Sequence, residues 1–258
     1  MKPLRLAMWS GPRNISTALM RSWENRGDCA AVDEPLYAHY LAHTGLDHPG
    51  REAVIAAGET DWRKVAAWLT GPVPDGSAIW YQKHMTHHLL PHIAREWLGG
   101  LTHVFLIRDP REVLLSYVKS RPRVTAQDIG VAQQLEIFDY VRHQCGVTPA
   151  VLDAGEFLKT PQAQLRALCD RLGIAFTPRM LSWPPGPRTS DGVWAPYWYE
   201  AVLRSTGFEP YCARAQPVPP EHQGIVDTTM PLYEELFEHR LRPLEAAAST
   251  QTLPRRSN

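Results

Sequence analysis

Short apolar runs that end in polar clusters punctuate the first 150 or so positions of this chain. Leu4 to Trp9 is one such run, bounded by Pro3 and by Ser10-Gly11-Pro12, and it reads as a buried strand that empties into a tight loop. Cys29 to Val32, Ala78 to Tyr81, His103 to Ile107 and Ala150 to Leu152 repeat the pattern. Helical stretches separate them: Ser16 to Arg26, then residues 61–70, 91–98, 110–120, 126–143 and 160–172. Strands alternating with helices predict right-handed crossovers and an α/β fold, a central parallel sheet flanked by helices. In such a sheet ligands bind beyond the carboxyl ends of the strands. Four predicted strand ends carry polar groups: Ser10 to Arg13, Asp33-Glu34, Gln82-Lys83-His84 and Arg108-Asp109. Their convergence is the main expectation. Pro35 restricts the residue before it, so Glu34 is expected in extended geometry at the end of the second strand.

The pattern weakens after residue 178. Pro184-Pro185-Gly186-Pro187 and Pro217, Pro219 and Pro220 interrupt an aromatic-rich region with one good helix, Ala195 to Ser205, which reads as a cap or lid. Residues 245–258, rich in alanine, serine, threonine and arginine, read as a disordered tail, which leaves residues 1–244 as a single domain. Composition narrows the function. The 27 Lys and Arg balance the 27 Asp and Glu, so the formal net charge is 0. That excludes a general nucleic-acid binder, whose footprint is a strong basic excess, and leaves phosphate recognition to a few placed arginines and backbone amides. The four cysteines, Cys29, Cys145, Cys169 and Cys212, form no Cys-x-x-Cys pair and read as reduced thiols. Arg5 and Gly11-Pro12-Arg13 break the N-terminal apolar run too early for a signal peptide, and no stretch nears the ~18 apolar residues of a membrane span. A soluble cytoplasmic protein without a membrane partner is expected; the oligomeric state is unknown from sequence.

Chemistry concentrates in three segments. Ser10-Gly11-Pro12-Arg13-Asn14-Ile15-Ser16-Thr17 joins the first strand to the first helix. Amides at a helix N-terminus, two hydroxyls and an arginine make an anion site there, although Ser16 as a plain helix cap and Arg13 as a solvated cation account for the same residues. Ser16-Thr17 stand where a Walker A loop needs Gly-Lys, which disfavours an ordinary ATP or GTP hydrolase. In the second segment Arg108 ends a strand and Ser116 follows eight residues later, about two turns into the helix that Asp109-Pro110 starts, so the two can hold a second phosphate. In the third, Lys83-His84-Met85-Thr86-His87-His88-Leu89-Leu90-Pro91-His92, helical spacing would align His84, His88 and His92 for a metal. Pro91 argues for a loop over residues 84–90 and a helix after it, so no metal is expected. Trp194 to Tyr199 either wall an acceptor pocket or stack on adenine, or pack the lid on the sheet.

Taken together, the first two segments resemble the sulfotransferases that use 3′-phosphoadenosine 5′-phosphosulfate, closely over about residues 1–120 and loosely beyond. Pro12-Arg13-Asn14-Ile15-Ser16-Thr17 is similar to that family's 5′-phosphosulfate loop, and Arg108 with Ser116 to its 3′-phosphate pair. Asp33-Glu34-Pro35-Leu36 resembles the Glu-Pro segment of many bacterial members, whose glutamate can serve as base. Two departures stand out. Ile15 replaces the loop glycine, so close approach to the phosphate depends on Ile15 adopting a geometry glycine takes more freely, and Arg188-Thr189-Ser190-Asp191-Gly192 only echoes the family's Arg-Lys-Gly segment.

The resemblance implies a P-loop-like sulfotransferase fold with a C-terminal lid, and transfer of a sulfuryl group to a hydroxyl or amine of a small-molecule acceptor. In that reading Arg13, Asn14, Ile15, Ser16 and Thr17 hold the 5′ end of the donor, while Arg108 and Ser116, with Arg188 as a further candidate, hold the nucleotide. Glu34 is the preferred base, His84 or His87 the alternatives, and Lys83 assists charge stabilisation. The competing readings are a P-loop nucleotide kinase, which needs the missing Walker lysine, and a non-catalytic adenosine-nucleotide binder.

Overall fold

All five expected strands form one parallel sheet: β1 (Leu4–Ser10), β2 (Cys29–Asp33), β3 (Ile79–Met85), β4 (Thr102–Ile107) and β5 (Ala150–Asp153), in the spatial order β2-β3-β1-β4-β5. The computed structural model describes residues 3–119, 123–214 and 216–243, so the expected tail over residues 245–258 lies outside the described residues. The helices are α1 (Ser16–Glu24), α2 (Tyr37–Thr44), α3 (Arg51–Ala57), α4 (Trp62–Thr70), α5 (Pro110–Tyr117), α6 (Ala126–Ile129), α7 (Val131–Gln144), α8 (Ala154–Lys159), α9 (Pro161–Leu172), α10 (Ala195–Trp198), α11 (Glu200–Arg204) and α12 (Gln223–Glu238). None of the described helices is long and apolar enough to cross a membrane.

β1 is central and buried on both sides, which is why its sequence is a continuous apolar run and not an alternation. Its residues still alternate in destination. Leu6 and Met8 pack with Leu19, Met20 and Trp23 of α1 and with Leu165 and Leu168 of α9, whereas Ala7 and Trp9 face the core built from α4, α5, α7 and α12. Each such fully buried large side chain contributes about 1.5 to 3 kcal/mol. A third, smaller cluster joins Tyr37, Ala38 and Leu41 of α2 to Val54 of α3 and to Trp194, Ala195 and Tyr199 of the C-terminal region. This cluster fixes the lid against the β2 end of the sheet.

Several elements depart from the sequence reading. β3 runs on through Lys83, His84 and Met85, and a short 3₁₀ turn covers Thr86–His88, where a loop over residues 84–90 was expected. Residues 91–98 form no α-helix, only a 3₁₀ turn at Glu96–Gly100. Trp97 Nε1 donates to the Ala94 oxygen at 2.9 Å, the acceptor an α-helix would offer the Leu98 amide, which donates instead to the Arg95 oxygen at 3.0 Å. The expected helix over 126–143 is broken at Gly130, which takes φ +82° and lets this corner approach the first loop; a Cβ there would meet Pro12 Cδ at 3.1 Å. The C-terminal region carries more than one good helix: residues 195–205 split into α10 and α11, and the 16-residue α12 packs across α7 with Pro231 inside it.

Candidate active site

Three of the four polar strand ends open onto one cavity of about 740 Å³ lined by the first loop, Glu34, Lys83, His87, His88, the aromatic face of α2 and Trp198 and Tyr199. The fourth, Arg108, meets the first loop from behind the cavity wall. A hollow of similar size, about 780 Å³, beside α9 and Leu241–Pro243 is lined by none of the strand-end residues. The chemistry therefore belongs to the first cavity.

The loop after β1 turns through Arg13, whose φ is +55°. This left-handed turn costs an ordinary residue about 1 to 2 kcal/mol, and it falls on Arg13 instead of Ile15. Ile15 has φ −89° and ψ 21°, in the bridge region, so the position of the missing glycine requires no positive φ. Asn14 ties the loop down: Asn14 Nδ2 donates to the Leu106 oxygen at 3.1 Å, and Asn14 Oδ1 accepts the Ile15 amide at 2.9 Å. No side chain caps α1, so Ser16 is not a capping residue, and the first turn, Ser16, Thr17 and Ala18, lines the cavity. Uncapped first-turn amides at the positive end of a nine-residue helix are suited to an anion.

The second phosphate motif meets the first. Arg13 Nε donates to Ser116 Oγ at 2.8 Å, and Arg108 Nη1 donates to the Arg13 carbonyl at 3.1 Å. Asp109 caps α5 by accepting the Arg111 amide, and Pro110 opens it, which sets Ser116 two turns along. Arg108 is also paired with Glu112 at 2.9 Å, and Glu112 accepts a bond from the Tyr211 hydroxyl at 2.7 Å. Arg108 is thus already paired with a carboxylate, which Tyr211 holds in place.

At the other end of the cavity, register places Asp33 beside Lys83 on neighbouring strands. Lys83 Nζ, 2% exposed, donates to Asp33 Oδ1 at 2.8 Å, Glu34 Oε1 at 2.5 Å and the Tyr199 hydroxyl at 2.9 Å. Tyr199 in turn donates to Asp33 Oδ2 at 2.6 Å. Burial acts to depress the Lys83 ammonium, but Asp33 and Glu34 outweigh it and hold its pKa well above the ordinary lysine value. Burial raises the Glu34 carboxyl, with Lys83 pulling the other way and Asp33 adding to the rise. Glu34 ends the strand as expected, but with φ +41° instead of extended geometry. That strained turn is held by three bonds: the Glu34 amide to the Lys83 oxygen, the Tyr37 amide to the Glu34 oxygen, and the Lys83 contact.

The histidines separate. Successive strand residues face opposite sides, so His84 points away from Lys83 and the cavity. Its ring stacks on Trp9 at 4.3 Å between centroids, is 1% exposed, and is pushed by burial down to about 3. His84 is a core histidine and reaches no substrate, which corrects its expectation as a base. His87 does line the cavity. So does His88, which the sequence offers only as a metal ligand aligned with His84 and His92: it stacks on Tyr37 at 4.6 Å, its buried Nδ1 makes no hydrogen bond, and it sits 3.9 Å from Glu34 Oε2. Burial, then the neighbouring His87 and Lys83, keep His88 neutral.

Arg188 does not line the cavity either. Its guanidinium folds back on the Pro184 and Pro187 oxygens, while Asp191 of the same segment pairs with buried Arg21 at 2.6 Å. The aromatic segment divides between its two readings. Trp194 packs edge-on against Tyr37, whereas Trp198 and Tyr199 line the cavity.

Comparison with known proteins agrees with this geometry. Residues 4–239 match the family model described as a sulfotransferase domain. Two curated proteins of Arabidopsis thaliana, branched-chain-amino-acid aminotransferase-like proteins 2 and 1, are 35% and 37% identical over 95% and 92% of this chain. The match takes in 44% and 42% of their length, so the chain spans less than half of these relatives. Among solved structures, the sulfotransferase domain from the curacin biosynthetic pathway aligns with a TM-score of 0.52 at 18% identity, over 93% of this chain and 99% of that one. The sulfotransferase from Alicyclobacillus acidocaldarius aligns with a TM-score of 0.55 at 11% identity, over 93% and 97% of the two chains. These likenesses establish the P-loop-like fold. With an uncapped helix N-terminus after β1, an arginine and serine joined behind it, and a family match over nearly its whole described length, the chain belongs to the sulfotransferase family.

Proposed function

We propose that this protein transfers a sulfuryl group from 3′-phosphoadenosine 5′-phosphosulfate to a hydroxyl or amine of a small-molecule acceptor. The observation that carries the reading is that Glu34 and the uncapped α1 N-terminus with Arg13 line the same cavity. The acceptor oxygen or nitrogen attacks sulfur from the Glu34 side, and the bond from sulfur to the bridging phosphate oxygen breaks. Its electron pair leaves on adenosine 3′,5′-bisphosphate, and the acceptor proton passes to Glu34. Arg13 and the α1 amides neutralise the charge that grows on the leaving phosphate. Lys83 fixes the Glu34 carboxylate and opposes the rise that burial imposes on its pKa. The balanced net charge and the aromatic cavity wall support a small acceptor over nucleic acid.

Calorimetry on adenosine 3′,5′-bisphosphate, adenosine 5′-monophosphate and ATP with magnesium tests the donor. Arg108 and Ser116 are expected to favour the bisphosphate over the monophosphate by at least about tenfold, since one charge-assisted bond contributes about 1.5 to 3 kcal/mol. Equal affinity for the two would remove the 3′-phosphate site, and preference for ATP with magnesium would point to a kinase. A transfer assay with radiolabelled donor and a panel of alcohols and amines then separates an enzyme from a non-catalytic binder.

A further inference from the structure

Behind the aromatic wall of the cavity, three histidines converge from two segments. His39 and His43 lie one turn apart on the same face of α2, and His92 comes from the connection between β3 and β4. One ring nitrogen from each lies within 4.8 Å of the other two, and His39 Nε2 is 3.0 Å from His92 Nε2, a hydrogen-bond distance. His43 and His92 are ring neighbours at 4.0 Å between centroids. None of the three lines the sulfotransferase cavity.

The inner histidine is already set up as a ligand. His39 is buried, and its Nδ1 lies 2.6 Å from the Thr60 carbonyl oxygen. A carbonyl only accepts, so Nδ1 carries the proton and Nε2 presents a lone pair toward His43 and His92. Metal-bound histidines are held in this way, with the far ring nitrogen donating to a backbone carbonyl. A tetrahedral ion with metal–nitrogen bonds of about 2.0 to 2.1 Å holds its ligands about 3.3 Å apart, a spacing near that of the His39–His92 pair. His43 and His92 are exposed and free to turn the remaining distance, and they leave the outer side of the site open to water or a fourth ligand.

We infer that His39, His43 and His92 form a binding site for a divalent transition metal of the zinc class. Three neutral imidazoles with no carboxylate suit zinc, cobalt, nickel or copper and not magnesium or calcium. The site is distinct from the sulfuryl-transfer machinery and does not rest on that assignment. Its role follows from where it sits. The cavity-facing residues of α2, Tyr37, Tyr40 and Thr44, and Leu90 two residues before His92, all line the cavity. An ion bound by His39, His43 and His92 cross-links these two walls, so it acts as a staple between α2 and the β3–β4 connection.

The test uses the full chain expressed without a histidine tag and stripped with chelator. Zinc titrated calorimetrically is expected to bind in one equivalent. Cobalt in its place is expected to give the intense visible absorption of a tetrahedral site. Either His43→Ala or His92→Ala is expected to weaken zinc binding by about 100-fold or more and to abolish the cobalt band, while His143→Ala, at an exposed position of α7, leaves both unchanged. Both exposed variants should keep the melting temperature of the metal-free chain, and zinc should raise it in the wild type alone. Absence of zinc binding, or zinc affinity and cobalt spectrum indifferent to both His43→Ala and His92→Ala, would overturn the site.

Discussion

Replacing Lys83 with methionine removes the single cation from a buried group of two carboxylates. Lys83 is 2% exposed, Asp33 is 1% and Glu34 is 12%, so water reaches the group only from the cavity side and replaces little of what is lost. Three charge-assisted bonds disappear, at 2.8, 2.5 and 2.9 Å, and two of them are ion pairs. Breaking a buried ion pair by removing one partner costs about 3 to 5 kcal/mol, because the remaining charge is stranded. Here two charges of like sign remain, so Lys83→Met should lose stability at the upper end of that range in urea unfolding at neutral pH. Lys83→Met with Glu34→Gln leaves one carboxylate, still held by Tyr199, and should recover part of the loss. The same change acts on chemistry. Lys83 is the main influence holding the Glu34 pKa down against burial, so its removal moves that pKa further up. A base works only when deprotonated, so the acid limb of kcat/KM shifts to higher pH in Lys83→Met. A loss below about 1 kcal/mol, the range of an exposed pair, together with an unmoved acid limb, would refute the coupled role of this group.

Two further outcomes follow from the geometry. Arg13→Ala should lower turnover by about 100 to 1,000-fold, or about 2.7 to 4 kcal/mol of barrier, with a smaller change in bisphosphate affinity, since charge on the leaving phosphate grows in the transition state; near wild-type turnover would make Arg13 a bystander. His84 and His103 should make the fold acid-sensitive. Burial depresses them to about 3 and about 4, so below pH 6.5 the unfolded chain takes up protons that the folded chain does not. Their stabilisation is whole above that pH and drains as pH falls, by about 2 kcal/mol for each histidine by pH 5, which urea midpoints across that range measure. A flat profile from neutral pH to pH 5 contradicts this.

The strands and the loops at their ends were legible because burial on both faces writes an uninterrupted apolar run, and Ser10-Gly11-Pro12, Asp33-Glu34-Pro35 and Asp109-Pro110 stop those runs sharply. Ending the third strand at Tyr81 hid the most informative fact about the next residues. Once β3 extends through Met85, pleating alone sends Lys83 and His84 to opposite faces and removes His84 from the site. α12 was concealed by the prolines before it and by Pro231 within it, and its hydrophobic stripe is held by tertiary packing on α7. Tyr199, 116 positions from its partner Lys83, carries no local signal beyond its place in an aromatic cluster. His92 was visible as a candidate ligand, but its partners His39 and His43 come from a helix that the sequence reading did not assign.

In the proposed transfer Glu34 accepts the acceptor's proton while Arg13 and α1 hold the leaving phosphate. Single-turnover transfer by Glu34→Gln, measured beside calorimetry of adenosine 3′,5′-bisphosphate on the same preparation, addresses it directly, because the amide keeps the shape of the side chain and removes the base. The chemical step should fall by about 100 to 10,000-fold with bisphosphate affinity largely unchanged. Near wild-type transfer by Glu34→Gln, with transfer abolished in His87→Ala, would contradict this role of Glu34 and move the base to the histidine that shares the cavity.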